Sequence, residues 1–185
     1  QSAKVKLATT KDVNEAVTNA KKAFDTWANT PPLQRARVMF KFKELIEKNN
    51  INPKTDLCGI MMETFQGWGA VFYPKEFVQE VALFAKENDL LLTFDEMQAG
   101  FGRTGELFGY MNYGVEPDLL ACGKGASSSL PLALVLGSKE IMDLPGIGSM
   151  SSTHSANPLV CAAGLANLQA LIEDGMIQNS KKLGL

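Results

Sequence analysis

Histidine is nearly missing from this chain. His154 is the single one in 185 residues, which excludes a metal centre built on several histidines. Cysteine is scarce too. Cys58, Cys122 and Cys161 lie far apart with no Cys-x-x-Cys spacing, so the sequence encodes neither a zinc cluster nor a disulfide framework. Such a sparse, odd count suits a reducing compartment, where cysteine serves as a small core residue. Neither sign of charge dominates. Eighteen Lys and Arg against twenty Asp and Glu give a net charge of -2, and no basic run stands out. Nucleic acid and anionic membrane are therefore poor candidates for a main partner. No apolar run is long enough to span a bilayer, and residues 1–6 lack an apolar signal core. A cytoplasmic protein without internal repeats or low-complexity tracts is the expectation.

Apolar residues make up 45% of the chain and charged ones 21%, the composition of a globular protein with a real core. Two segments differ in character. Residues 1–50 read as a helical hairpin. Asp12 followed by Glu15 has the form of a capping box. Val13, Ala16, Val17, Ala20, Phe24 and Trp27 then recur at helical steps. Asn29-Thr30-Pro31-Pro32 stops that helix, because proline has no N–H and restricts the residue before it. A second helix is expected over 33–48, with Val38, Met39, Phe42, Leu45 and Ile46 as its apolar stripe. The hairpin offers no catalytic group. Residues 51–56 read as a linker.

From residue 57 onward strands alternate with helices. Strand signals lie at 57–62, 90–94, 119–122 and 132–136. A helix is expected to begin with Pro74 at its first position and to bury Phe77, Val78, Val81, Phe84 and Ala85. A last helix runs from about Asn157-Pro158 to Glu173. This order predicts an α/β layered sheet, in which ligand groups gather at strand ends. Asp95 and Lys124 both stand at such ends.

Three segments could carry chemistry. Asp95 follows a buried apolar strand, and an unpaired carboxylate there is costly. Gln98 and three nearby glycines, Gly100, Gly102 and Gly105, let a ligand approach the backbone closely. A capped strand end with a turn fits the same residues. Lys124, between Gly123 and Gly125 at a strand end, would be driven by burial toward the neutral, nucleophilic amine that forms Schiff bases. An exposed turn lysine fits as well. Ser151-Ser152-Thr153-His154-Ser155 precedes a helix and suits a phosphate, or ordinary N-capping. Taken together in this order, an acid, a lysine and phosphate donors are what pyridoxal 5'-phosphate (PLP) requires.

At this point residues 56–185 resemble the large domain of class III (subgroup II, ω-type) aminotransferases, a fold type I PLP family. Asp95-Glu96-Met97-Gln98-Ala99-Gly100-Phe101-Gly102-Arg103-Thr104-Gly105 is similar to that family's D-E-V-Q-T-G-F-G-R-T-G. Cys122-Gly123-Lys124-Gly125 is similar to its lysine segment, Thr153 to Leu159 to T-x-x-x-N-P-L, and Glu63 to Ala70 to E-P-x-Q-G-x-G-G, with Thr64 and Ala70 as departures. The resemblance implies an α/β fold type I PLP-transferase-like core, incomplete at both ends and preceded by the helical hairpin. It implies that Lys124 is the catalytic Schiff-base lysine and that Asp95 faces the pyridinium nitrogen. Gln98 would serve the ring hydroxyl, Thr153 the phosphate across a dimer interface, and Glu63 the substrate side. The implied reaction is transamination between an amine or ω-amino acid donor and a 2-oxo acid acceptor, by a homodimer or larger homo-oligomer.

The first fifty residues resemble something else. Ala20-Lys21-Lys22-Ala23-Phe24-Asp25-Thr26-Trp27, with the Arg35 helix after it, is similar to the N-terminal helices of aldehyde dehydrogenases. Neither the glycine motif for NAD nor the catalytic cysteine region of that family follows. Two further readings are therefore open. One is a catalytically incomplete chain serving as a binding or assembly module. The other is part of a bifunctional aminotransferase and NAD-dependent semialdehyde dehydrogenase.

Overall fold

The computed structural model describes residues 9–27, 37, 40, 41, 43–45, 48, 49, 51–67 and 69–184. The chain divides into two units, Gln1–Ile51 and Asn52–Leu185.

In the first unit, helix α1 spans Thr10–Trp27. It starts two residues before Asp12, so Asp12 lies inside the helix and is not its cap. The expected stop at Asn29-Pro32 lies outside the described residues, which carry α1 as far as Trp27. Much of the second expected helix lies outside the described residues; Arg37, Phe40, Lys41, Lys43, Glu44, Leu45 and Lys48 are helical.

The second unit opens with a single helical turn, α2 (Pro53–Asp56), where a linker was expected. Asn52 caps it by accepting from the Lys54 N–H, and Pro53 stands where no N–H is needed. Then follow β1 (Gly59–Glu63), a two-residue hairpin of β2 (Phe65–Gln66) and β3 (Val71–Phe72), and α3 (Lys75–Glu87). Strand β4 spans Leu91–Asp95, β5 Leu119–Cys122 and β6 Leu134–Gly137. Helices α4 (Lys139–Met142), α5 (Pro158–Glu173) and α6 (Met176–Leu183) complete the described chain. The sheet order is β1-β4-β5-β6. The first three strands are parallel and β6 is antiparallel. Parallel neighbours need a crossover, and α3 supplies the one between β1 and β4.

The alternation in β4 sets the core. Leu92 and Phe94 point to one face and join Val78 and Ala85 of α3, Leu90, Tyr113, Leu120 and Cys122. Val78 and Ala85 are buried as expected of α3. Phe77 and Phe84 are not: they are 48% and 42% exposed. Pro74 is the N-cap residue, one position ahead of the expected first helical turn. Of the three cysteines, Cys122 alone is in the core, whereas Cys58 and Cys161 are exposed. Burial, with Glu96 and Asp95 charge nearby, raises the Cys122 thiol pKa to about 11. Its thiolate is therefore scarce at neutral pH. The opposite face of the sheet leaves Met61 and Val135 more than half exposed.

Helix α5 begins as expected: Asn157 Oδ1 accepts from the Leu159 and Val160 N–H groups, and Pro158 occupies the first turn. Helix α6 was not expected from the sequence. It ties back to the loop after β4 through Lys181 Nζ and Glu106 Oε1 at 2.6 Å. Among the described residues no helix is long and apolar enough to cross a membrane.

Candidate active site

Because β1, β4 and β5 are parallel, their C-terminal ends share one edge. Glu63 is the last residue of β1 and Asp95 the last of β4, and the two are register partners. Asp95 pairs in turn with Ala121 of β5, and the Glu96 N–H donates to the Ala121 carbonyl at 2.8 Å. Lys124 follows β5 by two residues. Three sequence-distant groups are thus delivered to one edge by register alone.

Asp95 is partly buried. Its Oδ1 accepts from the Met97 N–H at 2.9 Å, a local turn that fixes the carboxylate. Gln98 is the hub of the site. Its Nε2 donates to the Gly67 carbonyl at 3.0 Å, and its Oε1 accepts from Lys124 Nζ at 3.1 Å. A cavity of about 340 Å³ surrounds this pair, lined by Phe65, Met97, Phe101, Arg103 and neighbouring glycines as well as by Gln98 and Lys124.

Lys124 departs from the burial argument. It is exposed, the outcome the turn reading allowed, and its backbone lies in the left-handed region at φ 40°. A lysine held there stores strain of about 1–3 kcal/mol, a cost that clusters at functional sites. The surroundings enforce it. Asn167 of α5 donates to the Gly125 carbonyl at 2.7 Å and approaches the Ala126 carbonyl at 3.2 Å. Gly123 is needed because a Cβ there would meet Met97 Sδ at 2.5 Å.

Glu96 was not singled out by the sequence reading. It is wholly buried, on the same face as Leu92 and Phe94. Its two oxygens accept from the Gly109 and Tyr110 N–H groups, each at 2.8 Å, at the start of the 3-10 turn Gly109–Asn112. Burial raises its pKa, and the charge of Asp95 adds to that. The two backbone donors oppose the rise, as does the Thr64 hydroxyl, which is buried nearby without a well-formed hydrogen bond of its own. The signal was available: continuing the alternation of Leu92 and Phe94 puts Glu96, not Asp95, inside.

The structure brings Lys124 and Gln98 together directly and places Asp95 and Glu63 on the same edge. It does not bring Thr153 to the cavity. Thr153 lies in an exposed turn before α5, and so does His154.

An α/β sheet with a strained lysine and an aspartate at adjacent strand ends defines a lysine-centred site of the kind PLP enzymes use. The comparisons place it. The sequence profile of class-III aminotransferases matches residues 3–185, and the chain belongs to that family. Acetylornithine aminotransferase of Caldanaerobacter subterraneus is 41% identical over 70% of this chain and 33% of its own. The probable 4-aminobutyrate aminotransferase of Bacillus subtilis is 39% identical over 73% and 31%. An S-selective transaminase from Arthrobacter sp., solved with alanine bound, superposes with a TM-score of 0.70 at 37% identity, covering 78% of this chain and 31% of that one. The chain spans about a third of the length of the curated relatives it matches. The profile includes the first fifty residues. The likeness of those residues to aldehyde dehydrogenases is not shown by these relatives.

Class-III aminotransferases are PLP enzymes, and the residues present fit that cofactor. An amine and a carboxylate stand at neighbouring strand ends, the amine opens into a cavity of ligand size, and among the described residues Asp95 Oδ2 has no hydrogen-bond donor.

Proposed function

We propose that this chain forms the lysine-bearing part of a PLP-dependent aminotransferase, which moves an amino group from an amine or ω-amino acid to a 2-oxo acid. The observation that carries the reading is Lys124. It stands strained at the end of β5 with its amine on Gln98 inside the cavity, one strand away from Asp95. Bound here, PLP would supply an aldehyde to the lysine and a ring that withdraws electrons from the substrate carbon. Lys124 Nζ would hold the cofactor and then carry the proton removed from the substrate carbon. Asp95 would keep a positive charge on the ring nitrogen, as a fixed dry-site anion. Gln98 would orient the lysine and meet the ring hydroxyl. Glu63 would lie on the substrate side. Thr153, out on its exposed turn, would reach the phosphate in a neighbouring subunit. Leu144, Ile147, Met150 and Leu159, exposed around that turn, support an assembled protein. A cytoplasmic location and a separate N-terminal helical segment belong to the same proposal. A bifunctional parent with a dehydrogenase half would add NAD binding; the class-III match across the first fifty residues favours a single enzyme.

The test is intact mass after incubation with PLP and borohydride. A 20.1 kDa chain carrying one adduct that Lys124→Ala abolishes is the expected result. A chain without adduct would favour the binding-module reading. Gly67→Ala provides a graded version. A Cβ at Gly67 would lie 2.6 Å from Gln98 Oε1 and must displace the amide that holds Lys124. Labelling at Lys124 is expected to slow by about tenfold, one charge-assisted hydrogen bond's worth, with the urea midpoint hardly moved. Unchanged labelling kinetics would remove Gln98 from the site.

A further inference from the structure

Lys124 is held at two points. At its tip, the amine rests on Gln98 Oε1. At its root, Asn167 of α5 spends both polar atoms of its amide on the chain just after the lysine. Nδ2 donates to the Gly125 carbonyl at 2.7 Å and to the Ala126 carbonyl at 3.2 Å, and Oδ1 accepts from the Ser128 hydroxyl at 2.7 Å. An amide suits this set because it carries two donors and an acceptor in one plane. The gripped stretch is left-handed at both ends: Lys124 has φ 40° and Ser128 φ 64°. Between them lies one 3-10 turn, Lys124–Ala126, closed by the Ala126 N–H on the Gly123 carbonyl at 2.9 Å. Helix α5 reaches this turn because Gly164 has no side chain; a Cβ there would meet Leu132 Cδ2 at 2.5 Å. Gly164 and Asn167, three residues apart, share one face of the helix.

We propose that Asn167 is a positioning residue for Lys124: it holds the lysine's backbone in the left-handed turn, so that the amine is presented on Gln98 and into the cavity. The inference rests on the reading of Lys124 given above and deepens it. A non-glycine residue stays left-handed only while its surroundings outweigh the strain. Without the Asn167 amide, the Gly125 and Ala126 carbonyls lose that donor and the turn relaxes toward negative φ. Relaxation swings the Cα–Cβ bond and takes the amine off Gln98. A lysine stem is long and flexible, so its aim is set first at the backbone. Bond formation at Nζ gains from an amine that is already placed. Asn167 and Gln98 share no hydrogen bond among the described residues, so coupling between them runs through the Lys124 turn.

The experiment is a double-mutant cycle on the full chain, read as mass added at Lys124 by reductive trapping. The lysine amine adds to an aldehyde carbon, water leaves, and cyanoborohydride delivers hydride to the carbon–nitrogen double bond, leaving a stable secondary amine. PLP and butanal are the two probes. Asn167→Ala and Gln98→Ala are each expected to slow labelling by about tenfold, one hydrogen-bonded contact's worth. The double variant should be slowed little more than either alone, because both changes act on the same amine. A residue that only supports the fold would act independently, and the two losses would multiply to about a hundredfold. Lys139, exposed at the start of α4, is the internal reference and should label at the wild-type rate throughout. Unchanged labelling in Asn167→Ala overturns the proposal, and so does a multiplied loss. If Asn167→Ala does not fold, Ser128→Ala runs the same cycle with the same two outcomes, since it removes only the hydroxyl that Oδ1 holds. A wild-type Lys124 that captures butanal but not PLP refutes the aminotransferase reading, and the butanal cycle still decides Asn167. A wild-type Lys124 labelled by neither takes down both.

Discussion

Glu96→Ala is expected to destabilise the sheet-bearing unit by about 2–5 kcal/mol, because it leaves one buried and one part-buried N–H group, those of Gly109 and Tyr110, without acceptors. Against a total stability of about 5–15 kcal/mol for a domain, that is a large fraction. Glu96→Gln keeps one acceptor oxygen and turns an amide donor toward the other N–H, so roughly half of the loss should remain. Urea unfolding checks both. The pH dependence provides an independent sign. Burial raises the Glu96 carboxyl above its ordinary 4.5, so the folded chain binds this proton more tightly than the unfolded one. The group's contribution is complete below pH 4.5, falls as pH rises through the raised folded value, and is constant above it. Other carboxylates tilt the raw curve, so the quantity to follow is the stability of wild type minus that of Glu96→Gln. It should decrease with pH across this window. A difference independent of pH would mean that burial does not govern this carboxyl.

Asp95 and Glu96 also show why the site was half legible. Local signals were strong. Asp95 and Lys124 could be placed at strand ends because an apolar strand reads from its own residues, and ligands collect at such ends. The start of α5 was legible because Asn157 and Pro158 act within a few residues of themselves. What escaped depends on distant partners. Glu96 was not singled out, and its partners are 13 and 14 residues away. Asn167 was not singled out by the sequence, and it holds carbonyls more than 40 residues upstream. For Lys124 the sequence left burial after an apolar strand and an exposed turn both open. The strand does end in the core at Cys122, but the left-handed turn at Lys124 carries the side chain outward. Helix α6 carries a mixed polar sequence, and its ion pair with Glu106 spans 75 residues. Phe77 and Phe84 fit the helical period of α3, but the buried face is narrower than the apolar stripe.

Asp95→Ala is expected to have the largest effect on chemistry. In the reading proposed here, the carboxylate's work is to hold a positive charge where electrons must flow. Removing one preorganised charge from a dry site slows turnover by about 10²–10³-fold, or roughly 3–4 kcal/mol of barrier. The geometry makes a discriminating pair possible. Asp95 Oδ1 already accepts the Met97 N–H, and that turn is what aims the other oxygen. Asp95→Asn keeps an oxygen for the Met97 N–H and removes the charge, whereas Asp95→Ala removes both. If charge is what matters, the two variants should lose activity alike while only Ala loosens the loop. If aim is what matters, Asn should retain most of the activity. Two readouts apply. One is the rate of amine consumption in a single turnover by PLP-loaded protein. The other is the PLP concentration that half-labels Lys124, expected to rise at least about tenfold in both variants through the lost ion pair. Near-normal values for Asp95→Ala in both would remove Asp95 from the cofactor site. Lys124 would then need another anion at that edge, and Glu63, its carboxylate already in register with Asp95 on β1, is the residue the fold offers.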